Sequence, residues 1–181
     1  MFIVSNGLKA CCTAGLFMSV CGSLQADLVD TFQVGEGSAM AQVQFDFLSG
    51  NSYLYEIRWD GSNLTGRDVF DLIGAAQPDE FEFTYIAYSF GDFLTSVTIG
   101  DDYDFGDGSQ APDFNNYWHY WNRSGGDPWE SSMVGFSDRV LENGSSDAWV
   151  FGVSDAPQTI PAPATIAVVG AVFASRRRRR G

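Results

Sequence analysis

The stretch "SYLYEIRWDG" restricts this chain more than any other feature, because Tyr53, Tyr55, Ile57 and Trp59 fall on one side of a strict period-two pattern and Leu54, Glu56 and Arg58 on the other. A helix turns about 100° per residue and cannot gather that set on one face; a strand does so automatically. "AMAQVQFDFL" just before it repeats the pattern, with Val43, Phe45 and Phe47 opposed to Gln42, Gln44 and Asp46. The "NS" between the two runs predicts a hairpin, and the Asp60–Gly61 turn ends it. Further strands are expected at "EFEFTYIAYSF", "FLTSVTIG", "NYWHYWN" and "DAWVFGVS", punctuated by glycines.

One segment breaks the strand pattern. In "GRDVFDLIGAA" the residues Val69, Phe70, Leu72, Ile73 and Ala76 make a single apolar stripe at helical spacing. Thr65 is placed to cap it, Asp68 puts a negative charge in the first turn, and Pro78 stops it. Strands plus one amphipathic helix give an α+β domain, mainly antiparallel sheet with the helix packed across one face.

The charges divide the chain into three parts. All 23 acidic residues lie between Asp27 and Asp155, where only Arg58, Arg67, Arg123 and Arg139 oppose them. A body this acidic repels polyanions, so nucleic acid is not an expected partner. Residues 1–26 read as a secretory signal peptide: Lys9 supplies the positive start, "ACCTAGLFMSVCG" the apolar stretch, and "SLQA" a cleavage site for signal peptidase. Cys11, Cys12 and Cys21 would leave with it, so the body at 27–158 must fold on its core without disulfides.

The end of the chain, 159–181, couples an apolar run to a block of arginines. From Ile160 to Ser175 the run reaches about 24 Å as a helix, short of a bilayer core of about 30 Å. Arg176, Arg177, Arg178, Arg179 and Arg180 follow at once, and such a cluster stays cytoplasmic and halts translocation. "APQTIPAPA" before the run reads as a stiff, extended spacer.

A proline motif at Pro161, Ala162 and Pro163, then an apolar helix rich in alanine, valine and glycine, then terminal arginines resemble the PEP-CTERM sorting tail of exported bacterial proteins. That resemblance implies an exosortase that removes the tail. It also implies a protein delivered to the cell surface or extracellular matrix, transiently anchored in the inner membrane by the C-terminal helix. Ala162 stands where that family usually has glutamate.

The body carries a second resemblance. "TGRDVFDLIGAA", "NYWHYW", "PWESS" and "GFSDRVLENGSSDAWVF" follow an order similar to the β-grasp-like C-terminal domain of transcobalamin and intrinsic factor, over about residues 50 to 153. The resemblance implies a β-grasp-like fold and, as one alternative, a corrinoid-related module. The large helical barrel that holds the corrinoid in those proteins has no counterpart in this chain.

Three constellations bear on chemistry. Trp118, Tyr120, Trp121 and Trp129 supply aromatic surfaces of the kind that stack on sugars, and are the candidate ligand contacts. The competing reading has these rings alternating between the core and a second packed face. His119 is the sole histidine, so a zinc site would need it plus carboxylates.

In "DDYDFGDGSQAPD", Asp101, Asp102, Asp104, Asp107 and Asp113 concentrate hard oxygen ligands in a glycine-containing loop. The first four are the candidate calcium ligands, although the EF-hand spacing fails: Asp107 stands where that loop needs glycine. No cofactor is otherwise expected. No nucleophile elbow, phosphate loop or dinucleotide fingerprint is present, and with 23 acids a carboxylate pair alone selects nothing. The expectation is an exported, non-catalytic binding or structural module for an extracellular glycan or matrix polymer. A secreted polysaccharide hydrolase is the alternative from another class.

Overall fold

The structure, a computed structural model, describes residues 27–112, 114–158 and 160. The signal region, the proline motif, the apolar run and the arginine cluster lie outside the described residues, as does Asp113. Among the described residues no helix is long and apolar enough to cross a membrane.

The chain is mostly β-sheet with one short helix. In order it forms β1 (Asp27–Val34), β2 (Ala39–Asp46), β3 (Asn51–Trp59), α1 (Gly66–Ala76), β4 (Phe81–Tyr88), β5 (Gly91–Ile99), β6 (Asp102–Phe105), β7 (Trp118–Ser124), β8 (Glu130–Ser131) and β9 (Ser145–Phe151). Six strands make one sheet in the order β1-β3-β2-β9-β7-β8, and β4-β5-β6 make a second, antiparallel one.

Most strand pairings are antiparallel, as expected, but the large sheet is mixed. The β2–β3 hairpin is antiparallel, but β1 pairs with β3 and β9 with β2 in parallel. Sequence alternation fixes which face a residue takes and carries no strand direction. The β1 to β2 connection passes over the end of β3, and two glycines permit it. A Cβ on Gly35 would lie 2.3 Å from the Arg58 carbonyl oxygen and one on Gly37 2.1 Å from the Trp59 carbonyl carbon. Both also hold positive φ, +77° and +148°.

The expected helix forms with its expected cap. Thr65 accepts from the Asp68 N–H while the Asp68 carboxylate accepts from the Thr65 N–H, so each satisfies a backbone donor that the first turn leaves open. Val69, Phe70 and Ile73 face inward. Phe70 meets Phe45 and Trp149 edge-on at 5.4 and 4.8 Å, and Phe81 of the small sheet lies 5.8 Å from Phe45. Helix and small sheet thus close over the front face of the large sheet around an aromatic core, with Val97 and Ile99 filling the gaps.

The acidic segment read as a loop is partly strand. Asp102 and Asp104 alternate with Tyr103 and Phe105 along β6, and the aspartates reach the β2–β3 turn. Asp102 accepts from Ser49 Oγ, Asn51 Nδ2 and Tyr53 Oη at 3.0, 2.8 and 2.7 Å, and Asp104 from the Leu48 N–H at 2.8 Å. Burial, reinforced by that Asp102 contact, pushes the Tyr53 phenol well above its ordinary range.

The start of the expected spacer is tied down rather than free. Pro157 is buried, the Gln158 N–H donates to Asp46 Oδ2 at 3.2 Å, and the Gln158 carbonyl accepts from Gln44 Nε2 at 3.0 Å. Gln44 and Asp46, on the side of β2 opposite Val43, Phe45 and Phe47, are buried as well.

Candidate functional site

Strand β7 sends successive rings to opposite faces of the sheet. Trp118, 2% exposed, points forward into the core and meets Phe47 at 5.2 Å and Phe151 at 5.3 Å, both edge-on. Tyr120, also forward, stacks on Trp149 at 4.5 Å and 5°. His119 and Trp121 take the back face, and Trp129 joins them there beneath Arg123, whose guanidinium lies 4.2 Å over the indole. The four candidate rings therefore do not form one platform. Strand alternation divides them, and Trp118 serves the core.

Behind Tyr120 sits a buried charge cluster. Tyr120 Oη donates to Asp147 Oδ2 at 2.5 Å, and Arg139 Nε lies 3.5 Å from Asp147 Oδ1, an ion pair too poorly aligned to count as a hydrogen bond. Asp147 is 0% exposed, and burial pushes its carboxyl up despite both partners. The same burial, with the carboxylate beside it, pushes the Tyr120 phenol up. With Asp147 fully buried at its centre and Tyr120 and Arg139 partly exposed, the cluster pins β9, β7 and the 136–141 segment together.

The open site lies beside Tyr120. Where β8 stops short, the first residues of β7, the start of β5 and the loop 131–136 enclose a cleft of about 230 Å³. Phe90, Phe93, Tyr117, Met133 and Val134 line its mouth and Tyr120 its floor. Phe90 stacks on Tyr88 at 5.0 Å and 8°, with more than half of its surface exposed. Tyr117 lies 5.8 Å from Phe93 and 3.9 Å from the His119 ring. Burial holds His119 below its ordinary pKa, partly offset by the Asn115 carbonyl.

Two glycines build the cleft wall. Gly91 and Gly135 pack backbone against backbone, and a Cβ on Gly135 would fall 2.6 Å from the Gly91 carbonyl carbon. The contact is stitched by the Gly135 N–H donating to the Phe90 carbonyl at 3.1 Å and the Phe136 N–H to the Asp92 carbonyl at 3.2 Å. Asp92 is the one acid on the lining, and it is paired with Arg67 at 3.2 Å.

No protein-family model matches this chain, and no curated protein matches it. Its chemistry is therefore read from the geometry: stacked and edge-on rings around an open slot, with a single engaged charge. Such a lining suits a flat, largely uncharged ligand held by ring contact.

The expected calcium ligands are dispersed. Asp102 and Asp104 hold the hairpin turn, Asp107 accepts from its neighbour Ser109, and Asp101 stands apart in a turn. Among the described residues no three metal-ligating side chains converge. Phe90, Phe93, Tyr117 and Met133 were not singled out by sequence reasoning. The available signal was "SSMVGF", where two apolar residues sit in a serine- and glycine-bounded loop with no strand to bury them.

Proposed function

We propose that the chain is an exported bacterial surface or matrix protein whose body is a non-catalytic binding module for an extracellular glycan or matrix polymer. An N-terminal signal would carry it out of the cell, and a PEP-CTERM-like tail would hand it to an exosortase-type enzyme. The helix laid over the β2–β3 hairpin supports a β-grasp-like reading of the body.

The observation that carries the binding role is the aromatic cleft, which leaves Phe90 and Met133 exposed at its mouth, Met133 at 93%. A monomeric surface rarely leaves such residues together without a partner, and sugar rings stack on aromatic faces. The single lining acid is held by Arg67, which supports binding over paired-carboxylate hydrolysis.

The test is affinity electrophoresis of the full chain against a polysaccharide panel. Phe90→Ala and Tyr117→Ala are expected to weaken binding about tenfold each, equivalent to about 1.4 kcal/mol, with little change in Tm. Undiminished binding by both variants would defeat the cleft assignment. Turnover of any panel member, abolished by Asp92→Asn, would replace it with an enzyme.

A further inference from the structure

Among the described residues the two sheets end in four edge strands, β1 and β8 on the large one, β4 and β6 on the small one. A free edge offers unpaired N–H and C=O groups to any other strand, and proteins blunt it with charge, brevity or a bulge. Three of the four are blunted. β1 carries Asp27 and Asp30 and holds the extra residue Val29 in a bulge against β3. β6 is four residues long and bears Asp102 and Asp104, and β8 is two residues long and bears Glu130.

β4 has none of these devices past its second residue. From 83 to 90 the chain reads "FTYIAYSF", with no charge, proline or glycine, and it is rich in aromatic and β-branched residues. The irregularity between β4 and β5 puts the extra residue, Thr95, on β5, so the edge strand itself keeps a regular repeat. Residues 84–88 are all exposed, Tyr85 at 38%, Ile86 at 41% and Tyr88 at 49%. Arg67 lies 4.1 Å over the Tyr85 ring, but Asp71 and Asp92 hold its charge at 3.2 Å each.

We propose that β4 is a dimerisation edge, on which two copies of this chain pair antiparallel about a two-fold axis at Ile86. Such an axis sets Ile86 against its own copy, Tyr85 against Ala87 and Thr84 against Tyr88, all uncharged. Glu82, the one acid of the strand, falls opposite Phe90, so no two carboxylates meet. Alternate residues of the edge supply the N–H and C=O groups of the new ladder, and the two small sheets join into one. The occupant is a second copy because the strand is complementary to itself, and because its uncharged run is where two strongly acidic bodies repel least. A contact of this symmetry closes at two copies, which protects so bare an edge from growing into a fibre. The pairing does not rest on the glycan reading of the cleft.

The test is sedimentation equilibrium of the full chain in detergent micelles over a range of protein concentrations. A monomer–dimer equilibrium is expected. Ile86→Lys sets two like charges face to face at the axis and should raise the dimer dissociation constant about tenfold or more. The side chain is exposed, so the Tm should change little. Val29→Lys, on the bulged edge of β1, should leave the equilibrium as it is. Hydrogen exchange of the unsubstituted chain gives a second reading that no folding defect can blur: peptides covering 81–88 should gain protection as concentration rises, and those covering β1 should not. A chain that sediments as a monomer at every concentration would overturn the proposal. So would a dimer indifferent to Ile86→Lys, or one whose formation leaves 81–88 exchanging as before, since each assigns the contact to another surface.

Discussion

The two faces of the large sheet are built on different terms: the front is buried, whereas the back is buried at Gln44, Asp46 and His119 and half-buried at Glu56, Arg58, Trp121 and Arg123. On the front, Phe45 has the rings of Tyr55, Phe70, Phe81, Trp118 and Trp149 within 6.3 Å, and stability there rests on apolar area and shape. On the back, Gln158 bonds both Gln44 and Asp46, and each polar group needs a specific partner. A core face tolerates no lost volume, whereas a polar face is limited by its least satisfied atom. The front carries polar contacts at Tyr120–Asp147–Arg139, Tyr53–Asp102 and Tyr55–Gln77. On the back, Trp121 Nε1, Arg123 Nε, His119 Nε2 and Gln158 Oε1 have no hydrogen-bond partner among the described residues.

The contrast breaks hardest at Phe45. Phe45→Ala removes the ring that touches helix and both sheets and should lower stability by about 3–5 kcal/mol, read as a shifted midpoint with unchanged slope in urea. Gly135→Ala forces a Cβ into the Gly91 backbone and should cost about 1–3 kcal/mol. Because it moves the cleft wall, it should also weaken polysaccharide binding beyond its effect on Tm. The back face gives less: Gln44→Ala loses the bond to the Gln158 carbonyl and one support of Asp46, about 1 kcal/mol. Its signature is earlier proteolytic cutting near Ala156, with the core strands still protected.

The smallest effect is on pH dependence, and it compares the faces directly. Burial raises the Asp46 carboxyl on the back and the Asp147 carboxyl on the front. Each then stabilises the fold fully when protonated, and that contribution is lost as pH rises through the raised value. Tm should therefore climb as pH falls from neutral toward the ordinary carboxylate range. Below that range it should fall, as Asp60, Asp68 and Asp107, held low by hydrogen bonds from Ser38, Thr65 and Ser109, take up protons. Asp147→Asn and Asp46→Asn should each flatten part of the climb. Whichever flattens it more marks the face that dominates, and a climb unchanged in both would remove either carboxylate as its source.

Much of the front face was legible. The alternation at 43–47 and 53–59 put the right residues inward, and the Thr65 cap, the apolar stripe and Pro78 located the helix, because these signals act over a few residues. The candidate site was less so. Trp118 and Trp121 looked alike in sequence, and only their place in β7 separates a core residue from a back-face one. The cleft escaped because Phe90, Tyr117 and Met133 come from three segments joined by the contact of Gly91 with Gly135.

By itself the sequence determined the local periods, the helix and its cap, and the division into an acidic body between two acid-free ends. The tertiary structure alone decided that β1 and β9 enter in parallel, that Asp102 and Asp104 secure a hairpin turn, and that Pro157 and Gln158 cover a polar face. The physical reason is range. Dihedral preference and amphipathic period are properties of neighbours along the chain, while strand direction, the partner of a buried carboxylate and the walls of a cleft are set by residues far apart in sequence that meet only when the core closes.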